Sequence, residues 1–167
     1  HKALDKYYGN PESLKRLVDE CHRRGMAVIA DVVFNQVTGG SPLAQLYWDA
    51  ANNRPATNNP WLNPTAKHDY NVFLDFNHES ALTKIYVKNC LQYWLQEFRL
   101  DGFRFDLSKG FTQKPTLGDV GAWGQYDGSR IAILKDYANF VWGITSDAYV
   151  ILEHFAANNE EKTLAEY

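Results

Sequence analysis

Apolar residues recur along the chain with two different periods. Leu14, Leu17, Val18 and Cys21 follow the i, i+3, i+4, i+7 spacing of one helix face. Asn10 caps that helix, Pro11 occupies its first turn and Gly25 ends it. Ala27 to Phe34, AVIADVVF, is a continuous apolar run broken only by Asp31, as expected of a buried parallel strand. Val87, Leu91, Trp94, Leu95 and Phe98 predict a second helix, with Asn77 as its cap. Within Leu100 to Phe111, LDGFRFDLSKGF, Phe103, Phe105 and Leu107 alternate with Arg104, Asp106 and Ser108. A period of two sends these sets to opposite faces of a strand. Leu134, Ala138, Val141, Trp142 and Thr145 predict a third helix. Tyr149 to Leu152 is a third apolar strand ending in Glu153-His154, and a fourth helix begins near Asn158.

Helices alternating with strands imply a parallel sheet with helical crossovers. The α/β architectures that fit are an open doubly wound sheet and part of a (β/α)8 TIM barrel. No GxGxxG or Walker loop follows any strand, which weakens the nucleotide-binding sheet. Each strand instead carries polar residues near its C-terminal end: Asp31 and Asn35, Arg104 and Asp106, Glu153. In barrels that end forms the active site, so the partial barrel is preferred. Three strands make less than half of a barrel, which takes about 250 residues. Residues 37–76 show little periodicity and carry Asn, Pro, Thr and scattered aromatics. An excursion of that length inside a compact domain is usually functional. The expected organisation is barrel over residues 1–36 and 77–167, with an insertion over residues 37–76.

Net charge is −3 over 167 residues and no basic stripe is visible, which argues against a nucleic-acid partner. No run approaches the length of a membrane span. Five Trp, ten Tyr and nine Phe are many for this length, and their place in loops hints at an aromatic-lined binding surface. Cys21 and Cys90 sit in helical patterns without metal or redox spacing and read as small hydrophobes. The chain opens on His1 in mid-pattern and reads as a piece of a longer protein, so a missing leader says nothing of compartment.

Arg104 and Asp106 are two residues apart on one strand and point the same way. A buried guanidinium and carboxylate must satisfy each other or bind something. The plain reading is a structural ion pair. The alternative draws in Glu153, because Asp106 and Glu153 close consecutive strands. Carboxylates on neighbouring strand ends can lie about 5–5.5 Å apart, the separation of a retaining glycosidase pair. One carboxylate would attack the anomeric carbon; the other would protonate the leaving oxygen and then activate water. Arg104 would keep Asp106 ionised, and the acid would need a raised pKa.

Four short stretches then acquire a common meaning. Asp31-Val32-Val33-Phe34-Asn35, Leu74-Asp75-Phe76-Asn77, Gly102-Phe103-Arg104-Phe105-Asp106 and Ile151-Leu152-Glu153-His154 occur in the order and spacing of known motifs. Together they resemble the central portion of the catalytic barrel of the α-amylase family of glycoside hydrolases. The resemblance implies barrel strands three to five with a B-domain-like insertion after strand three. It implies Asp106 as nucleophile, Glu153 as acid/base, Arg104 as their partner and Asp31 as a brace. Gln36 stands where the family usually has a sugar-contacting His, and Lys109 is followed by Gly110 where many α-amylases have His. Gln36, Lys109 and His154 are the remaining candidates for substrate contact, with a solvated lysine and a strand-end hydrogen-bonding histidine as the plainer readings.

The resemblance also implies a structural Ca²⁺ held by Asn35, Asp75 and the Gly110 carbonyl, and no organic cofactor. The implied partners are an α-glucan or maltooligosaccharide and the remainder of the barrel, which would carry the third catalytic Asp. The fragment alone is then expected to be inactive, and the parent enzyme secreted or periplasmic. GFRFDL also resembles debranching enzymes, so bond type and the choice between hydrolysis and transfer stay open. A non-catalytic glucan-binding relative is the rival from another class. Trp48, Trp61, Trp123 and Tyr126 are candidates for stacking on sugar rings, against the plainer reading of an aromatic mini-core in the insertion. His22, His68 and His78 read as surface or capping residues.

Overall fold

The computed structural model describes residues 1–167. Its elements in chain order are α1 (Pro11–Arg23), β1 (Ile29–Val32), β2 (Gln36–Val37), α2 (Pro42–Gln45), β3 (Trp48–Asp49), β4 (Arg54–Pro55) and β5 (Leu74–Asp75). Then come α3 (Ala81–Phe98), β6 (Gly102–Phe105), a 3-10 turn (Ser108–Phe111), α4 (Val120–Trp123), α5 (Gly128–Ile144), β7 (Tyr149–Leu152) and α6 (Asn158–Ala165).

The three long apolar runs form one parallel sheet in the order β1–β6–β7. Asp31, Arg104 and Ile151 share one row of that sheet, and Val32, Phe105 and Leu152 the next. Phe103 and Phe105 are buried and pack with Val87 and Leu91 of α3 and with Leu134, Tyr137 and Val141 of α5. The opposite face carries Asp31 and Arg104, with Ile29, Tyr149 and Ile151 exposed. Gly102 permits the sheet to close up: a Cβ there would lie 2.2 Å from the Tyr149 carbonyl oxygen.

Several boundaries differ from the pattern. The run Ala27–Phe34 pairs only over Ile29–Val32. The alternation around Arg104 stops at Phe105, because Leu107 turns left-handed at φ 43° and Ser108 begins the 3-10 turn. Leu107 is therefore not a strand residue opposite Asp106. Asn77 does not cap α3. Its Oδ1 accepts from the Glu79 amide in a turn, and Ser80 caps the helix instead.

The excursion after β1 is pinned at both ends. β2 and β5 pair antiparallel, Gln36 with Asp75 and Val37 with Leu74. Inside it β3 and β4 form a second antiparallel pair. Val37, Ala44, Leu62 and Phe76 make its own small core, against which Trp48 and Trp61 pack. Those two tryptophans thus follow the mini-core reading. No helix is long and apolar enough to cross a membrane.

Candidate active site

Arg104 is the hub of the polar sheet face. Its Nη1 donates to Asp31 at 3.0 and 3.2 Å and to Asp106 Oδ1 at 3.0 Å. Its Nη2 lies 3.0 Å from Glu153 Oε1. One guanidinium thereby joins the ends of three adjacent strands, an arrangement its planar fork suits and a lysine would not. Glu153 is fixed a second time, by the Leu107 amide donating to Oε2 at 3.0 Å. Leu107 adopts a positive φ in presenting that amide, an uncommon conformation for a branched side chain and one that clusters at functional sites.

Burial pushes the Asp106 carboxyl above the usual range, and the adjacent Glu153 pushes it the same way. Arg104 opposes both without outweighing them. Arg104 does act to keep Asp106 ionised, as the sequence leads one to expect, but the net direction is upward. Asp106 and Glu153 share the Arg104 guanidinium, one on each terminal nitrogen. The group is open: the side chains of Arg104, Asp106 and Glu153 keep roughly a third of their surface exposed and Asp31 two-thirds. A cleft of about 630 Å³ lies to one side, lined by Gln36, Val33, Thr38 and Phe73 among others, and includes none of these carboxylates.

Two expected sugar contacts lie behind the site rather than in it. Lys109 is buried, donates to the Phe155 carbonyl at 3.1 Å and sits 4.0 Å over the Trp123 ring. It is neither solvated nor free to reach substrate. His154 is buried, with Nδ1 2.9 Å from Ser108 Oγ and Nε2 2.7 Å from Glu160 Oε1. Ser108 in turn donates to the Glu153 carbonyl from its amide (2.8 Å) and its hydroxyl (3.1 Å). Trp123 is buried and donates to the Lys109 carbonyl, so it is no sugar platform; Tyr126 is exposed.

Behind His154 lies an ion pair that periodicity alone left out. Arg130 and Glu160 are fully buried and doubly bonded, at 2.7 and 2.8 Å. The other Arg130 donors go to the carbonyls of Lys109, Trp123 and Gln125. Burial alone would raise the Glu160 carboxyl, but His154 and Arg130 outweigh it and hold it at about 2. A signal existed for Arg130: it occupies the apolar stripe that runs on through Leu134, Tyr137, Ala138 and Val141. Glu160, near the start of a short polar helix, had none.

Asn35, Asp75 and Gly110 do come together. Asn35 and Asp75 are buried, and Oδ1 of each has no hydrogen-bond partner. Gly110 packs so close that a Cβ would lie 1.8 Å from Asn35 Oδ1. Orphaned buried oxygens beside a carboxylate fit a divalent cation. His68 completes the cluster from an unexpected direction. It is fully buried, not a surface residue, and its Nε2, also without a partner, lies 3.6 Å from Asp75 Oδ1. Gln36 lies beside this cluster, where its Oε1 accepts from Asn35 Nδ2. His78 is likewise buried, between the Tyr137 hydroxyl (2.8 Å) and the Phe34 carbonyl (2.7 Å). His22 remains exposed, paired with Asp101.

Residues 1–70 match the family model described as the α-amylase catalytic domain. The chain is 31% identical over 107 residues to malto-oligosyltrehalose trehalohydrolase of Saccharolobus solfataricus, covering 62% of this chain and 17% of that protein. It is 27% identical over 165 residues to the 1,4-alpha-glucan-branching enzyme of Solanum tuberosum, covering 90% and 18%. Among solved structures it superposes on Eubacterium rectale Amy13B with a TM-score of 0.69 at 21% identity, over 89% of this chain and 31% of that one. The chain thus spans less than a fifth of the length of these curated relatives.

Proposed function

We propose that this chain, which belongs to the α-amylase family, forms part of a retaining enzyme that acts on α-glucosidic bonds of starch-like glucans. The carrying observation is the Arg104 hub, which contacts both Asp106 and Glu153 at 3.0 Å at the ends of neighbouring strands. Two carboxylates on one guanidinium support the retaining arrangement, with carboxyls about 5–5.5 Å apart, over the inverting one, whose carboxyls stand about 6.5–9.5 Å apart.

In this reading the Asp106 carboxylate attacks the anomeric carbon. The glycosidic C–O bond breaks as Glu153 gives its proton to the leaving oxygen. Water then attacks the glycosyl-ester, yields a proton to Glu153 and releases Asp106. A sugar hydroxyl in place of that water gives transfer, so hydrolysis, debranching and branching share this chemistry. Arg104 balances the paired carboxylates, and Asp31 braces the guanidinium. The exposed Ile29, Tyr149 and Ile151 on the same sheet face support further barrel strands, with a third catalytic carboxylate, supplied from outside these residues.

A structural cation tying the insertion to the sheet belongs to the same reading. Asn35, Asp75 and the Gly110 carbonyl would hold it, the bare Gly110 Cα leaving room beside Asn35 Oδ1, and the resemblance implies calcium. When bound, the ion would add fixed positive charge at the β2–β5 closure.

The test is product analysis of the intact enzyme on soluble starch and pullulan beside Asp106→Asn. Products from the parent that vanish in the variant support the assignment, and their pattern distinguishes bond type and transfer. A fully active Asp106→Asn enzyme would sink it.

A further inference from the structure

We propose that Ser108 and His154 are positioning residues for Glu153: with the buried Arg130–Glu160 pair behind them, they aim the proton-donating carboxyl at the leaving oxygen. The inference rests on the acid/base reading of Glu153 above and goes beyond it to the groups that hold it.

Glu153 stands one residue past the end of β7, with 27% of its side-chain surface exposed. A carboxyl so placed has several rotamers open to it, yet a proton donor works only within about 2.6–3.2 Å of its acceptor. The turn after β6 removes that freedom. Leu107 donates its amide to Glu153 Oε2 at 3.0 Å, and Ser108 donates its amide to the Glu153 carbonyl at 2.8 Å. Two consecutive residues thus hold the side chain and the main chain of Glu153. Leu107 does so at a φ of 43°, a conformation that persists only where its surroundings impose it.

Those surroundings are polar and buried. Ser108 Oγ lies 2.9 Å from His154 Nδ1 and 3.1 Å from the Glu153 carbonyl. The hydroxyl has one hydrogen, which goes to the carbonyl when the imidazole carries two and to Nδ1 when it carries one. In both states Ser108 stays between the same partners. His154 Nε2 lies 2.7 Å from Glu160 Oε1, and Glu160 also accepts from Arg130 Nε and Nη2 and from the Asp127 amide. Arg130 Nη1 in turn donates to the carbonyl of Lys109, the residue after Ser108. Glu160 therefore grips the segment that carries Glu153, Arg130 grips the turn that holds it, and the two charges bind each other. Ser108, His154, Arg130 and Glu160 are at most 3% exposed, so they act through Glu153 and not on substrate. An ion pair at that depth is weak evidence for stability, since apolar side chains of similar volume serve as well or better. A chain of polar groups whose donors end on the two segments meeting at Glu153 is what a preorganised site needs.

The experiment uses the intact enzyme and Ser108→Ala, with His154→Phe as a second cut in the same chain that decides if the first does not fold. Soluble starch, whose leaving oxygen needs a proton, is compared with an aryl glucoside whose acidic phenol leaves without one. The expected result is a kcat on starch lowered about tenfold or more with KM little changed, since misplacing a reacting group by about 1 Å costs up to about 10²-fold. The phenol burst, which reads attack by Asp106 without help from Glu153, should stay within about twofold of the parent. Equal losses on both substrates mean a structural role only, and unchanged starch cleavage means no role; either overturns the proposal. Glu153→Gln separates this from failure of the acid/base reading. If it slows starch cleavage and the burst alike, that reading falls and the proposal with it. If it spares the burst while Ser108→Ala does not, only the positioning role falls.

Discussion

Arg104 Nη2 and Glu153 Oε1 lie 3.0 Å apart across two neighbouring strands, while Nη1 of the same guanidinium holds Asp106 at 3.0 Å. The charge of the whole carboxylate group therefore passes through one side chain. Arg104→Lys keeps the charge and loses the fork. It should lower kcat/KM by about 100-fold or more, since each preorganised donor is worth about 10²–10³. Arg104 is the group that pulls the Asp106 carboxyl down. Its replacement should therefore let Asp106 rise further and move the acid limb of the pH–rate profile to higher pH. A pH–rate comparison of the two enzymes checks both.

Glu153 is proposed to donate a proton only to a leaving group that needs one. Glu153→Gln should slow glucan cleavage by about 10²–10⁴-fold. An aryl glucoside with an acidic phenol needs no such help in the first step. Stopped-flow measurement should show a fast phenol burst followed by slow turnover, because the second step still lacks its base. Equal loss on both substrates would argue against the assignment.

The buried Arg130–Glu160 pair supports the loops behind the site through His154 and Ser108. Glu160→Gln leaves the Arg130 charge without its counter-ion at near-zero exposure. Breaking one side of a buried pair costs about 3–5 kcal/mol, which urea denaturation measures directly. The same change should lower kcat more than it raises KM, because His154 touches Ser108 and not substrate.

Stability should fall in two stages as the pH drops. Burial holds His78 at about 3, against about 6.5 when unfolded. Glu160 stands at about 2, against 4.5. Both folded values are depressed, so the unfolded chain takes each proton first and stability is lost as pH falls. The loss begins near pH 6.5 at about 1.4 kcal/mol per pH unit and steepens below pH 4.5 as Glu160 joins. Chemical denaturation across pH 4–8 reads the slope, and His78→Phe should flatten its upper part.

Much of this was legible in the order of residues. The helix–strand alternation, the strand-end carboxylates and the long interruption after Phe34 are one-dimensional facts, because side-chain period and chain order survive without coordinates. Arg104, Asp106 and Glu153 stood out as candidates because short motifs resemble known ones, and the sheet register then accounts for the Arg104–Asp31 contact: the two share a row. What the tertiary structure alone decided concerns polar groups facing inward from loops. Lys109 and His154 look like substrate contacts in sequence, yet both are buried, Lys109 on the Phe155 carbonyl and His154 between Ser108 and Glu160. His68 and Asn35 are 33 positions apart, and no spacing rule joins them. They meet because the β2–β5 pairing folds the insertion back onto the strand it left, and because Gly110, arriving from a third segment, has no side chain to keep them apart.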